Sequence, residues 1–144
     1  MNSGTLVENT VRTIIEGVEE CKKNKPNVRV AVVGILRRPR ESMVYERMRH
    51  RVNRKVQERL MIMKMDMKKG DIGVSFLCMD QDLTGNKYRR DLVHLNEEGD
   101  RRMGARLLEW ILATERIQKR RAAAAGNLVG NPGPNEPEKR AVME

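Results

Sequence analysis

The stretch Asp91-Leu92-Val93-His94 has the clearest capacity for chemistry in this sequence. A carboxylate three residues before an imidazole can meet it across a turn. The carboxylate would fix the ring's tautomer and stabilise the imidazolium, leaving the other ring nitrogen to take a proton from a hydroxyl. Such a pair is half of a nucleophilic site. It still needs a nucleophile and donors for an oxyanion. The spacing by itself is common, and a surface Asp followed by an uninvolved His would read the same way.

Little else in the chain competes. His50 stands between Arg49 and Arg51 in a charged stretch and reads as a surface residue. Cys21, His50, Cys78 and His94 are too scattered for a zinc site. There is no Gly-rich dinucleotide fingerprint, P-loop or EF-hand loop, so no metal or cofactor is expected. The serines are Ser3, Ser42 and Ser75. Two cysteines do not make a disulfide framework, and both read as free thiols in a reducing compartment.

The elements that must position Asp91 and His94 follow from periodicity. Val7, Val11, Ile14, Ile15 and Val18 recur at helical spacing, predicting a helix from about Thr5 to Lys23 that Asn24, Pro26 and Asn27 stop. Val28 to Ile35 is short, β-branched and apolar, as in a strand buried on both faces. Leu36 to Glu41, with three arginines and Pro39, reads as a loop. A long amphipathic helix follows from about Met43 to Met63, with an apolar stripe of Val44, Met48, Val52, Val56, Leu60 and Met63. Glu46, Arg47, Arg54 and Glu58 occupy its other face. Met61, Met63, Met65 and Met67 alternate with a period that clashes with the helix, so the helix is expected to fray there.

Ile72 to Met79 predicts a second buried strand, and Asp80 to Tyr88 a polar loop. Asn96 is a candidate N-cap for a last helix from about Glu97 to Arg121, with Met103, Leu107 and Ile111 as its stripe and Gly104 allowing close packing. The Ala-, Gly- and Pro-rich residues 122–144 read as a disordered tail. Strand-helix-strand with apolar strands implies a parallel crossover in a three-layer α/β domain. Two strands are fewer than the ~4–6 of an ordinary sheet, so residues 1–121 read as part of a domain.

Lys plus Arg number 29 against 20 Asp plus Glu, a net charge of +9. The excess raises the prior for contact with nucleic acid. The clusters are Arg37, Arg38 and Arg40, and Lys119, Arg120 and Arg121; elsewhere the charge reads as solvated helix faces. The first ten residues lack the marks of a signal peptide, and no apolar run approaches a membrane span. The expectation is a cytoplasmic protein with no membrane contact, while oligomeric state is left open.

In order, Tyr45 to Leu60, Val74 to Asp80, and Tyr88-Arg-Arg-Asp91-Leu-Val-His94-Leu-Asn-Glu-Glu-Gly99 before an apolar helix resemble the last blocks of SGNH/GDSL-type hydrolases. Val28 to Gly34 with Arg38-Pro39 is similar to the family's penultimate strand and loop. The resemblance covers roughly Thr5 to Ala113. It implies a partial flavodoxin-like sandwich without its N-terminal strands, and hydrolysis of esters. His94 would be the general base toward a serine and Asp91 its orienting carboxylate. The chain departs from the family at Leu92, where Gly is frequent, and at Leu95, where Pro is common. No serine stands in a Gly-Asp-Ser block, the Gly and Gly-x-Asn oxyanion elements are lacking, and Asn2 has no such context. The resemblance therefore implies an esterase-type domain that is inactive as this chain and would meet an ester substrate only if completed by an upstream segment. The alternative is a non-enzymatic basic nucleic-acid-binding or interaction module, retroelement-derived, using the two basic clusters.

Overall fold

The computed structural model describes residues 3–67 and 73–129. The order is α1 (Ser3–Asn24), β1 (Val30–Val33), α2 (Met43–Asp66), β2 (Val74–Leu77), a 3-10 turn (Gly85–Lys87) and α3 (Glu97–Val129). The protein is a mixed α/β chain with three helices and a two-stranded parallel sheet among the described residues. It divides into two compact units, Met1–Arg106 and Leu107–Glu144.

In the first unit, the apolar stripe of α1 places Val7, Val11, Ile15 and Val18 in the core. They meet Val52, Val56 and Leu60 of α2 and Val74 of β2 in one cluster. Each such side chain withdrawn from water contributes roughly 1.5–3 kcal/mol. The strands pair Val30 with Val74 and Val32 with Phe76. Period two puts these four on one face of the sheet, and all four belong to or pack against the cluster under α1 and α2. Ser42 starts α2 by accepting the Tyr45 N–H at 3.3 Å.

A polar clamp fastens α2 to the carboxyl ends of both strands. Asn53 Oδ1 accepts the Ile35 N–H at 2.8 Å, and its Nδ2 donates to the Ile35 carbonyl at 3.2 Å. Arg49 donates to that carbonyl at 3.2 Å, to Asp80 at 2.8 and 3.3 Å, and to Glu46 at 3.1 and 3.0 Å. Burial alone would lower the pKa of this guanidinium. The bonds to Glu46 and Asp80 outweigh burial and hold it charged. Gly34 permits the close approach, since a Cβ there would stand 2.9 Å from the Phe76 ring and 3.3 Å from the Asn53 amide.

The structure departs from the sequence reading at several boundaries. The strands are four residues each; β1 is shorter than its apolar run, and β2 ends at Leu77 rather than Met79, while Ile72 at the start of the second run lies outside the described residues. α2 does not fray at Met63. It continues to Asp66, with Met63 and Met67 packed against the core while Met61 and Met65 face solvent. α3 passes Arg121 and reaches Val129, because the run Ala122–Ala125 has the highest helix propensity of any residue type. The rest of the expected tail, 130–144, lies outside the described residues. Nothing lies within 4 Å of a Cβ built on Gly104, so close packing does not explain that glycine.

Arg49→Met should lower the unfolding free energy by roughly 2–4 kcal/mol, because Asp80 and the Ile35 carbonyl lose a buried donor. Asp80→Asn should cost less, since Arg49 keeps Glu46. Urea unfolding followed by circular dichroism measures both. An Arg49→Met midpoint equal to that of the parent protein would deny the clamp its role.

Candidate functional site

Asp91 and His94 meet in the long connection between β2 and α3. His94 Nδ1 lies 2.6 Å from Asp91 Oδ2. The other carboxyl oxygen, Oδ1, accepts the backbone N–H groups of Val93 at 2.9 Å and His94 at 3.1 Å. This is the local turn that Asp favours, and it occupies both carboxylate oxygens. The His94 hydrogen bond, aided by the two backbone donors, holds the Asp91 carboxyl well below the ordinary carboxylate range. With Asp91 ionised, Nδ1 carries the proton and Nε2 of a neutral ring is an acceptor. The His94 side chain is 70% exposed, so that acceptor faces solvent.

Leu92 sits at the apex with φ of 57°. A left-handed backbone costs a residue with a Cβ roughly 1–2 kcal/mol. This strain shows what a glycine at this position would relieve, and the Asp91 and His94 bonds on either side hold the turn against it.

The base of the loop is closed from below. Tyr88 and Leu95 form an antiparallel bridge. Arg89 N–H donates to the His94 carbonyl at 2.7 Å, and Asn96 N–H to the Lys87 carbonyl at 2.8 Å. The Asn96 side chain does more than cap α3. Its Oδ1 accepts the Gly99 N–H at 2.8 Å, while its Nδ2 donates to the carbonyls of Asn86 at 2.8 Å and Tyr88 at 3.2 Å. The strand-like segment before the loop is thereby stapled to the first turn of α3. Gly99 is the glycine that permits it, since a Cβ there would lie 2.2 Å from the Lys87 carbonyl oxygen. Arg102 of α3 also pairs with Asp82 at 2.7 Å, and Lys87 pairs with Glu98.

The sequence reading found Asp91, His94 and the Asn96 cap but missed three supports. Tyr88 is buried, and its hydroxyl has no hydrogen-bond partner. Burial pushes that hydroxyl's pKa upward. The wider role of Asn96 depends on the 3-10 turn before Tyr88, for which the spacing carried no signal. Arg49 could have been suspected from its register, three positions before buried Val52 on the apolar side of α2.

None of the serines joins the pair among the described residues. Ser42 caps α2, Ser75 lies in β2 and Ser3 begins α1. His50 is exposed and lies 3.2 Å from Glu46. Cys21 and Cys78 are exposed free thiols, with Cys78 just past β2 rather than in it. Among the described residues, no group of three or more His, Cys, Asp or Glu side chains could hold a metal, and no helix is long and apolar enough to cross a membrane. Comparison of the chain with family models, with curated proteins and with solved structures returns no match.

Two outcomes test this geometry. The Asp91 carboxyl carbon, followed by NMR, should keep its ionised shift as pH falls past the ordinary value of about 3.9. A folded pKa below the unfolded one stabilises the loop above the unfolded value, and that contribution is lost as pH falls through the folded value. A midpoint near 3.9 would contradict the bonding described. Gly99→Ala should cost about 1–3 kcal/mol in urea unfolding, because backbone must move to admit the methyl group; an unchanged midpoint would show the contact to be slack.

Proposed function

We propose that this chain is the His–Asp-bearing C-terminal part of an SGNH/GDSL-type ester hydrolase domain. The observation that carries the reading is the Asp91–His94 couple: both carboxylate oxygens are engaged, the imidazole is fixed through Nδ1 at 2.6 Å, and Nε2 is left open. Its setting after a parallel β-α-β unit agrees, because ligand sites of open α/β sheets gather at the carboxyl ends of their strands.

In this reading His94 Nε2 takes the proton of a serine hydroxyl as the oxygen attacks an ester carbonyl. It then returns the proton to the leaving alkoxide. Asp91 keeps the productive tautomer and stabilises the imidazolium. The nucleophile and the oxyanion donors would come from polypeptide outside these 144 residues, completing a flavodoxin-like sheet. Among the described residues the chain orients a base and places no serine beside it.

Hydrolysis of p-nitrophenyl acetate tests the reading. The purified chain should not exceed its His94→Ala variant. A chimaera placing the earlier strands, Gly-Asp-Ser and Gly-x-Asn blocks of an active SGNH hydrolase before Thr5 should turn over the ester, and His94→Ala should then cost on the order of 10²–10⁴-fold. A folded chimaera whose hydrolysis ignores His94 would sink the assignment, and His94-dependent turnover by the chain alone would refute its inactivity.

A further inference from the structure

The N-terminal halves of α1 and α2 leave a groove of about 390 Å³ in the first unit. That volume suits a small ligand, for which roughly 300–1,000 Å³ is usual. Its floor is Val7, Val52 and the stem of Arg49, and Leu6, Val44 and Met48 form its walls. Leu6 is 47% and Val44 60% exposed, so folding leaves this apolar lining in contact with water. Isolated apolar residues on a surface are ordinary, but a contiguous concave set marks a binding surface.

A basic loop is attached to a residue of the groove. That residue is Tyr45. Its hydroxyl donates to the Leu36 carbonyl at 3.3 Å, and the Arg38 guanidinium sits 5.4 Å from the centre of its ring. The loop carrying Arg37, Arg38 and Arg40 is thus fastened to the mouth. Arg38 has only an exposed pairing with Glu41 at 3.7 Å, of a kind that contributes little in water. Arg37 and Arg40 make no hydrogen bond or ion pair among the described residues, although the charge of Arg37 is felt by the Glu46 carboxylate. The nearby carboxylate of Glu46 is already committed to Arg49 and His50.

We propose that this groove binds a single-chain anionic amphiphile, with the acyl tail between α1 and α2 and the headgroup against the Arg37–Arg40 loop. The mostly apolar lining suits an acyl tail better than a sugar. The exposed guanidinium groups of this loop select an anionic head over a neutral one. A second copy of the chain would bring a second Arg37–Arg40 loop to the same rim and meet it with like charge. The site uses neither Asp91 nor His94 and does not depend on the hydrolase reading.

Isothermal titration with decyl phosphate, kept below its micelle-forming concentration, tests the proposal on the full chain. Decyl phosphate should saturate one site, decanol should bind at least about ten-fold more weakly, and inorganic phosphate should not saturate; a lost charge-assisted hydrogen bond alone accounts for such a factor. Val44→Asp alters an exposed residue, so the fold should persist by circular dichroism while affinity falls about ten-fold or more. The Arg37→Ala, Arg40→Ala double variant should bind decyl phosphate several-fold more weakly and decanol unchanged. His94→Ala should change nothing. Equal affinity for inorganic phosphate, decyl phosphate binding indifferent to Val44→Asp, or no binding of decyl phosphate would each overturn the proposal. So would an RNA oligonucleotide binding through the same arginines while decyl phosphate does not, or a dimer that Val44→Asp dissociates.

Discussion

A guanidinium withdrawn from water must keep a full set of partners, and in this protein Arg49 meets that requirement where α2 crosses the ends of both strands. Its side chain is 2% exposed. A charge so placed costs several kcal/mol unless carboxylates and carbonyls surround it. Glu46 comes from its own helix, the Ile35 carbonyl from the end of β1, and Asp80 from just beyond β2. Satisfying one side chain therefore joins three segments that are distant in sequence. A two-stranded sheet of four residues per strand has few ladder bonds of its own, and Asn53 adds a strand-like pair of bonds to Ile35 beside the arginine.

The loop of Asp91 and His94 follows from that anchor. Asp80 is where the chain leaves β2, and Tyr88 is where it turns back toward α3 through the bridge to Leu95. Between Tyr88 and Leu95 the turn is held mostly by itself: Asp91 binds two backbone amides and the imidazole, and Leu92 accepts a left-handed backbone. Asn96 and Gly99 close the base against α3. The support is thus rigid below and open above. The proposed general base needs its tautomer fixed and its far nitrogen accessible, and the Asp91 bond and the exposure of the ring are in keeping with both.

Positive charge is handled in two ways in the first unit. Arg49 is neutralised and structural, whereas Arg37 and Arg40 remain open to solvent beside an apolar groove. The net charge of +9 does not distinguish these uses. It is the desolvation of one guanidinium, and the solvent exposure of the others, that separates a clamp from a surface able to attract anions.

Hydrophobic periodicity located the three α-helices and both strands of the described residues, though not the 3-10 turn at Gly85–Lys87, because burying an apolar stripe is a local requirement written in the spacing of Val, Ile and Leu. The pairing of Asp91 with His94 was legible for a similar reason, since three residues of turn suffice to bring them together. The ends of elements were not legible. Met63–Asp66 stay helical because Met63 and Met67 find the core, and β1 stops short because the clamp takes over the hydrogen bonding at Ile35. Gly104 looked like the close contact and Gly99 is the real one, for the contact partner is a carbonyl that only the folded loop delivers. The sequence by itself determined the α/β order and the His–Asp couple. Tertiary structure alone decided that Arg49 is core, because its partners Ile35 and Asp80 come from distant parts of the chain, and only the folded 3-10 turn made Asn96 a staple between Asn86, Tyr88 and Gly99.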